Sequence, residues 1–215
     1  MARGRRRRTG VARASGHRRG GVTVARRRTA SEQVSAALLS AAETVLDRGG
    51  AGAVTVRSVA REAGVAPMGV YNRFTNKDGL LAALALRAFD DLAAAIDVGS
   101  DTGSPADRLR RACQGYRRFA LAHPARYALI FATGSPASDP ASPVTTRGRE
   151  VFTILVDMVA GLALRAGLDP VDAAQAMWNG QHGAVTLELA GVSQTSDAAA
   201  SFTETIDALI RGLQT

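Results

Sequence analysis

The sequence predicts an all-α protein: an N-terminal three-helix unit of helix-turn-helix form, followed by a larger helical body. Three observations predict it. Apolar residues recur at helical spacing from about residue 30 to residue 213, and no stretch keeps the two-residue alternation of a strand. Alanine dominates the 46% apolar fraction while aromatics make up only 5%, which suits helices packed closely over small side chains. Breaks rich in Gly, Pro and Ser separate the periodic runs.

Residues 1–29 hold 11 of the 27 basic residues and no acid, so the remainder carries 16 basic and 19 acidic groups. The net charge of +8 therefore belongs to this segment and not to the fold. With few large apolar groups the segment cannot offset chain entropy, and it is expected to be disordered. An arm touching DNA phosphates and an extension without a role both fit it. A transit peptide does not, because the amphipathic apolar face is missing.

A helix is expected over 30–48, capped by Ser31, with Val34, Leu38, Ala41 and Val45 on one stripe and Gly49 and Gly50 as its stop. A short helix over 55–63 takes Thr55 as N-cap and buries Val56, Val59 and Ala60. Gly64 ends it, and Pro67 suits the first turn of a helix running to about Phe74. A long helix over 77–97 follows, with Leu80, Leu84, Phe89, Leu92 and Ile96 inward. Beyond the break VGSDTGSP at 98–105, helices are expected at about 105–122, 125–132, 146–166, 170–190 and 197–213. GSPASDPASP at 134–143 reads as an irregular loop because of its three prolines. The domains are thus a tail at 1–29, a helix-turn-helix unit at 30–76 and a helical body at 77–215.

The stretch GVAPMGVYNRFTNKDGL at 64–80 is not composed like a core segment. Val70 and Phe74, four apart, face inward together. Pro67, Met68, Gly69, Tyr71 and Asn72 are left outside. Two short helices joined by a tight Gly turn form a helix-turn-helix, which places its second helix in the major groove. Tyr71 and Lys77 suit phosphate oxygens, as do Thr55 and Arg57 at the start of the preceding helix.

TVRSVAREAGVAPMGVYNRFTNKDGLLAALALRAF resembles the DNA-binding segment of the TetR-type transcriptional repressor family, a likeness covering about residues 30–80. The resemblance implies a homodimer on a palindromic double-stranded operator. It implies phosphate contacts at Tyr71 and Lys77, a backbone contact at Thr55, base readers within 66–72 including Ala66, and Phe74 as core anchor. Ala66, Pro67 and Met68 replace the commoner Ser or Thr caps and small polar readers, and Arg73 stands where His is common.

In the body, Tyr116, Phe119, Tyr127, Phe131, Phe152, Trp178 and His182 are candidates to line an apolar cavity for a small-molecule effector. A filled core is the competing reading of each one. MWNGQHGAVTLELAG at 177–191 sets Trp178 and His182 on one face and Gly180, Gly183, Ala184 and Leu187 on another. It resembles a TetR subgroup with a Trp-His-Gly pattern, in which the last two helices pair with their twofold mates. Phe202, Ile206, Leu209, Ile210 and Leu213 give the last helix the broad apolar face such pairing needs.

No run approaches 18 apolar residues, no apolar segment follows the Arg-rich start, and Cys113 is single, so a reducing cytoplasm is expected and a membrane role is not. The three His show no metal spacing, and no phosphate loop or nucleophile elbow occurs. No catalytic residue, metal or cofactor is expected. The expected function is a ligand-responsive repressor. The alternatives are a sequence-tolerant DNA-binding protein dominated by its tail, and an apolar-ligand-binding helical protein.

Overall fold

The computed structural model describes the backbone of residues 20–99 and 103–214, with side chains from Glu32 onward. The chain separates into an N-terminal unit, Met1–Ala36, and a body, Ala37–Thr215. Among the described residues there are nine α-helices: α1 (Gly20–Ala53), α2 (Val56–Glu62), α3 (Pro67–Phe74), α4 (Lys77–Ile96), α5 (Pro105–Ala122), α6 (Pro124–Phe131), α7 (Pro143–Ala160), α8 (Pro170–Leu189) and α9 (Ala198–Leu213). A 3₁₀ turn lies at Pro136–Ser138, and a lone bridge joins Leu164 to Gln214.

Most of these elements start where a cap and a proline say they should. Six of the seven prolines open a helix or the 3₁₀ turn. There their fixed φ is already helical and their missing N–H is not needed. Ser104, Ser142 and Asp169 cap α5, α7 and α8 immediately before those prolines. Pro143 therefore opens α7 rather than belonging to a loop, and α7 runs Pro143–Ala160 instead of the expected 146–166.

The start of α1 differs from expectation. It begins at Gly20, so Ser31 lies inside the helix and is not its cap. Of the arm expected at 1–29, residues 1–19 lie outside the described residues. The buried stripe of α1 runs through Leu38, Ala42, Val45 and Leu46, while Val34 is exposed. The expected glycine stop holds: Gly50 has φ 70 and ψ −178, a geometry closed to a helix and accessible to glycine at no side-chain cost.

One hydrophobic cluster runs through the body from Leu38 to Leu213. The central element is α4, which packs on α3 and on α5, α6 and α7. At Gly115 of α5 a Cβ would fall 1.9 Å from the Ala95 carbonyl oxygen, so α4 and α5 approach backbone to backbone.

The last helix corrects an expectation. Phe202, Ile206, Ile210 and Leu213 are buried in the chain's own core and Leu209 is partly buried against it, so these side chains are not free to form the apolar pairing face. An amphipathic helix has one such face, and α9 spends it on its own chain. Arg110 Nε meets Asp207 Oδ1 at 2.5 Å, Gln114 donates to Thr203 at 3.0 Å, and the Arg117 guanidinium lies over the Phe202 ring. These contacts hold α9 against α5.

Candidate functional site

The helix-turn-helix is built from a cap, a turn and an anchor. Thr55 Oγ1 accepts from the Ser58 N–H at 3.0 Å, and Ser58 Oγ accepts from the Thr55 N–H at 2.9 Å. This reciprocal cap fixes the start of α2, an effect worth about 1 kcal/mol. It also engages the Thr55 hydroxyl, leaving exposed Arg57 as the long donor at that end. Gly64, at φ 66, makes the turn, and the Val65 N–H closes it on the Ala60 carbonyl at 2.9 Å. Val70 is wholly buried and roots α3, while Phe74 is only partly buried and acts as a secondary contact.

The other side of α3 is open. Met68 is 65% exposed and Tyr71 49%. Ala66, Pro67 and Asn72 are exposed as well, and Gly69 is half-buried. Only Thr75, at φ 28, and Asn76 separate α3 from α4. Asn76 caps α4 by accepting from the Gly79 N–H at 2.8 Å. Exposed Lys77 follows as the first residue of α4, where its charge adds to the positive end of the helix dipole. The result is a short helix that presents small, aromatic and amide groups to solvent, flanked by Arg57 and Lys77.

A second feature lies in the body. Helices α4 to α8 line a partly open cavity of about 510 Å³, a size typical of small-molecule sites. Of the expected lining residues, Tyr116, Phe131, Phe152, Trp178 and His182 do face it. Phe119 and Tyr127 do not. Phe119 is buried beside the His123 ring, and Tyr127 stands behind the wall, bonded to the residues that form it. Sequence reasoning missed Phe89, Leu92 and Ile96, which α4 contributes, and also Cys113 and Gln181. Phe89, Leu92 and Ile96 read as ordinary core positions, and Cys113 only as a lone thiol. Gln181 carried a usable signal, a polar residue on the same helical stripe as the apolar Met177 and Val185.

His182 Nδ1 lies 2.6 Å from the Tyr127 hydroxyl and 3.0 Å from that of Tyr116, and the two hydroxyls are 3.1 Å apart. A neutral imidazole with its proton on Nε2 satisfies this triangle: Tyr127 donates to Nδ1, and Tyr116 donates to the Tyr127 oxygen. Burial holds the His182 pKa below its usual value and raises that of Tyr116. It also pushes the Cys113 thiol up to about 12. The groups around the chamber's polar end are therefore uncharged at neutral pH.

A charged cluster ties the two features together. Arg126 of α6 reaches Asp47 of α1 at 2.7 Å and Asp91 of α4 at 3.0 Å, and stands 3.6 Å from Glu43 of α1. Arg87 pairs with Glu43 at 2.8 Å. Burial raises the Glu43 pKa, against the pull of Arg126 and Arg87. The same short helix supplies Ile130 and Phe131 to the chamber wall.

Among the described residues no cluster of His, Cys, Asp and Glu stands ready to hold a metal ion, and no helix is long and apolar enough to cross a membrane.

Comparison with known proteins agrees with this geometry. Residues 38–84 match the family described as bacterial regulatory proteins, tetR family, and residues 109–209 match the tetracyclin repressor-like C-terminal domain. The chain belongs to the TetR family, and it is a DNA-binding transcriptional regulator. It is 28% identical over 177 residues to the uncharacterised HTH-type transcriptional regulator Rv0681 of Mycobacterium tuberculosis, covering 82% of this chain and 80% of that one. It is 32% identical over 147 residues to the HTH-type transcriptional regulator Rv1816 of the same organism, covering 65% of this chain and 62% of that one. A solved protein of unknown function from Rhodococcus sp. RHA1 superposes with a TM-score of 0.72 at 28% identity, over 85% of this chain and 96% of that one.

Proposed function

We propose that the chain is a ligand-responsive repressor, bound to a palindromic double-stranded operator as a homodimer and released when a small molecule occupies the chamber. The observation that carries this reading is the position of α4. Its first turn follows α3 across two residues, and its second half walls the chamber with Phe89, Leu92 and Ile96. A helix of this length spans about 30 Å, so a shift at its chamber end moves the exposed helix at the other. Arg126 adds a second mechanical link, from α6 to α1.

In this reading residues 30–76 form the DNA-binding domain and 77–215 the effector-binding and dimerisation domain, with α4 leading from one into the other. Met68, Asn72 and the small positions Ala66, Pro67 and Gly69 face base edges. Tyr71, Lys77 and Arg57 contact phosphates, and Thr55 acts through the cap it forms. The two copies of α3 enter successive major grooves about 34–36 Å apart. A ligand shifts the equilibrium only through its different affinity for the bound and released states. The i, i+4 spacing of Trp178 and His182 supports a Trp-His-Gly-like subgroup, and in this reading the protein works in the cytoplasm without a cofactor.

Selection of DNA fragments by the purified protein, followed by binding titrations, tests this. Tyr71→Phe and Lys77→Ala are expected to weaken binding almost uniformly across sequences, whereas Met68→Ala and Asn72→Ala change which sequence is preferred. If all four variants behave alike, the contact assignment is wrong. Specific footprints that persist after removal of residues 1–29 separate this reading from one in which the basic segment dominates.

A further inference from the structure

We propose that the chamber takes a neutral, largely apolar molecule bearing a hydrogen-bond donor, such as an alcohol hydroxyl or an amide N–H, and that it discriminates against carboxylates and ammonium ions of the same skeleton. The inference rests on the effector-site reading above and names the chemical class of ligand. It starts from which polar groups line the cavity and which of them already have partners.

The walls are mostly aromatic and aliphatic, with Phe131 and Phe152 flanking Trp178 at centroid distances of 5.9 and 5.7 Å. Among the described residues no Asp or Glu lines the cavity, so an ammonium ion finds no counter-charge in its walls. Arg149 of α7 is the one fully charged group among the described lining residues, and it is solvent-exposed, where an ion pair gains little. Most of the remaining acceptors are already engaged. The Ala137 carbonyl takes the Thr145 hydroxyl, Asn179 Oδ1 takes the Gln175 amide, and His182 Nδ1 takes the Tyr127 hydroxyl.

Gln181 is the exception. It is only 4% exposed, it lines the chamber, and its Oε1 has no hydrogen-bond partner. A buried amide oxygen without a donor is costly, and satisfying it is a gain open to an arriving ligand. The terminal torsion of Gln is soft, so the amide can turn its oxygen toward a bound group. Turned so, the oxygen takes a donor, which an alcohol supplies and a carboxylate lacks; a carboxylate is left the amide N–H groups alone, reached only after shedding its water. An ammonium ion has donors but would be stripped of water beside neutral partners only.

Trp178 is the single tryptophan of the chain and lines the chamber, so its emission reports occupancy without DNA. The full chain is titrated at neutral pH with decan-1-ol, decanoate and decylammonium. Decan-1-ol is expected to bind at least about tenfold more tightly than either ion, the difference being the cost of stripping water from a charge. Gln181→Leu is expected to weaken decan-1-ol by about three- to tenfold and to leave the ions nearly unchanged. The rank order in the unaltered protein needs no variant, and retained operator binding shows that the variant is folded. An ion that binds as tightly as the alcohol overturns the ligand class while leaving the effector site standing. An unchanged alcohol affinity in Gln181→Leu overturns it too. If none of the three compounds moves the Trp178 emission, the effector-site reading falls with it.

Discussion

A methyl group added at Gly115 would sit 1.9 Å from the Ala95 carbonyl oxygen and 2.9 Å from its carbon. Both are backbone atoms and cannot swing aside. Gly115→Ala is therefore expected to cost about 3 kcal/mol, with α4 forced off α5, read as a fall in the urea midpoint. Gly183 is the opposite case: nothing stands within 4 Å of its would-be Cβ in the single chain. Gly183→Ala is expected to raise the stability of an isolated protomer by up to about 1 kcal/mol. His182 gives a pH test. Its folded pKa is lowered from 6.5, so the unfolded chain takes up this proton first as pH falls. Stability contributed by the neutral ring is complete above pH 6.5 and is lost as pH drops below it, until the folded form also protonates. Melting temperatures measured across that window should fall less steeply for His182→Gln than for the unaltered protein. Equal slopes would mean that the ring titrates normally in the fold.

Among the elements, α6 is short but has two duties. One side supplies Ile130 and Phe131 to the chamber, and from another Arg126 holds Asp47 and Asp91. Isolated ion pairs near a surface are worth at most about 1 kcal/mol. The cluster matters because its members come from three helices, α1, α4 and α6. Arg126→Ala leaves Glu43, Asp47 and Asp91 near one another with only Arg87 to oppose them. We expect a stability loss of about 2 kcal/mol. In the effector reading, decan-1-ol still changes Trp178 emission in this variant, but a higher concentration is needed to release DNA. Release at the unaltered concentration would show that α4 alone carries the signal. Parts of this geometry were readable beforehand. The cap at Thr55, the turn at Gly64 and the burial of Val70 each depend on neighbours within a few residues. The partners of Arg126 were not readable, because Asp47 lies 79 positions away.

For the molecule as a whole, burial of Phe202, Ile206, Ile210 and Leu213 leaves pairing to residues outside that stripe. Leu187 is 54% exposed on α8, and Val192 is exposed just beyond its end. Gly183 leaves an open place on the same helix. Leu187→Glu is expected to give a folded monomer by sedimentation velocity. Operator affinity should then drop by about a hundredfold, since one recognition helix no longer brings its twin. A variant that stays dimeric would place the interface elsewhere. In the repressor reading, two linked copies of α3 let a helix of eight residues suffice for operator binding.

The sequence by itself determined the helical class, most of the helix starts and the helix-turn-helix with its outward residues. Caps, proline positions and 3.6-residue periodicity act over one or two turns, so they can be read locally. Only the tertiary structure decided which aromatic residues line the chamber, admitting Phe89 while leaving out Phe119 and Tyr127. It alone decided that Gln181 is buried without a partner for its oxygen and that α9 is covered by its own chain. Those outcomes depend on how helices cross. A periodic stripe shows that a face is buried, but the crossing angles decide whether it meets another helix or an empty space.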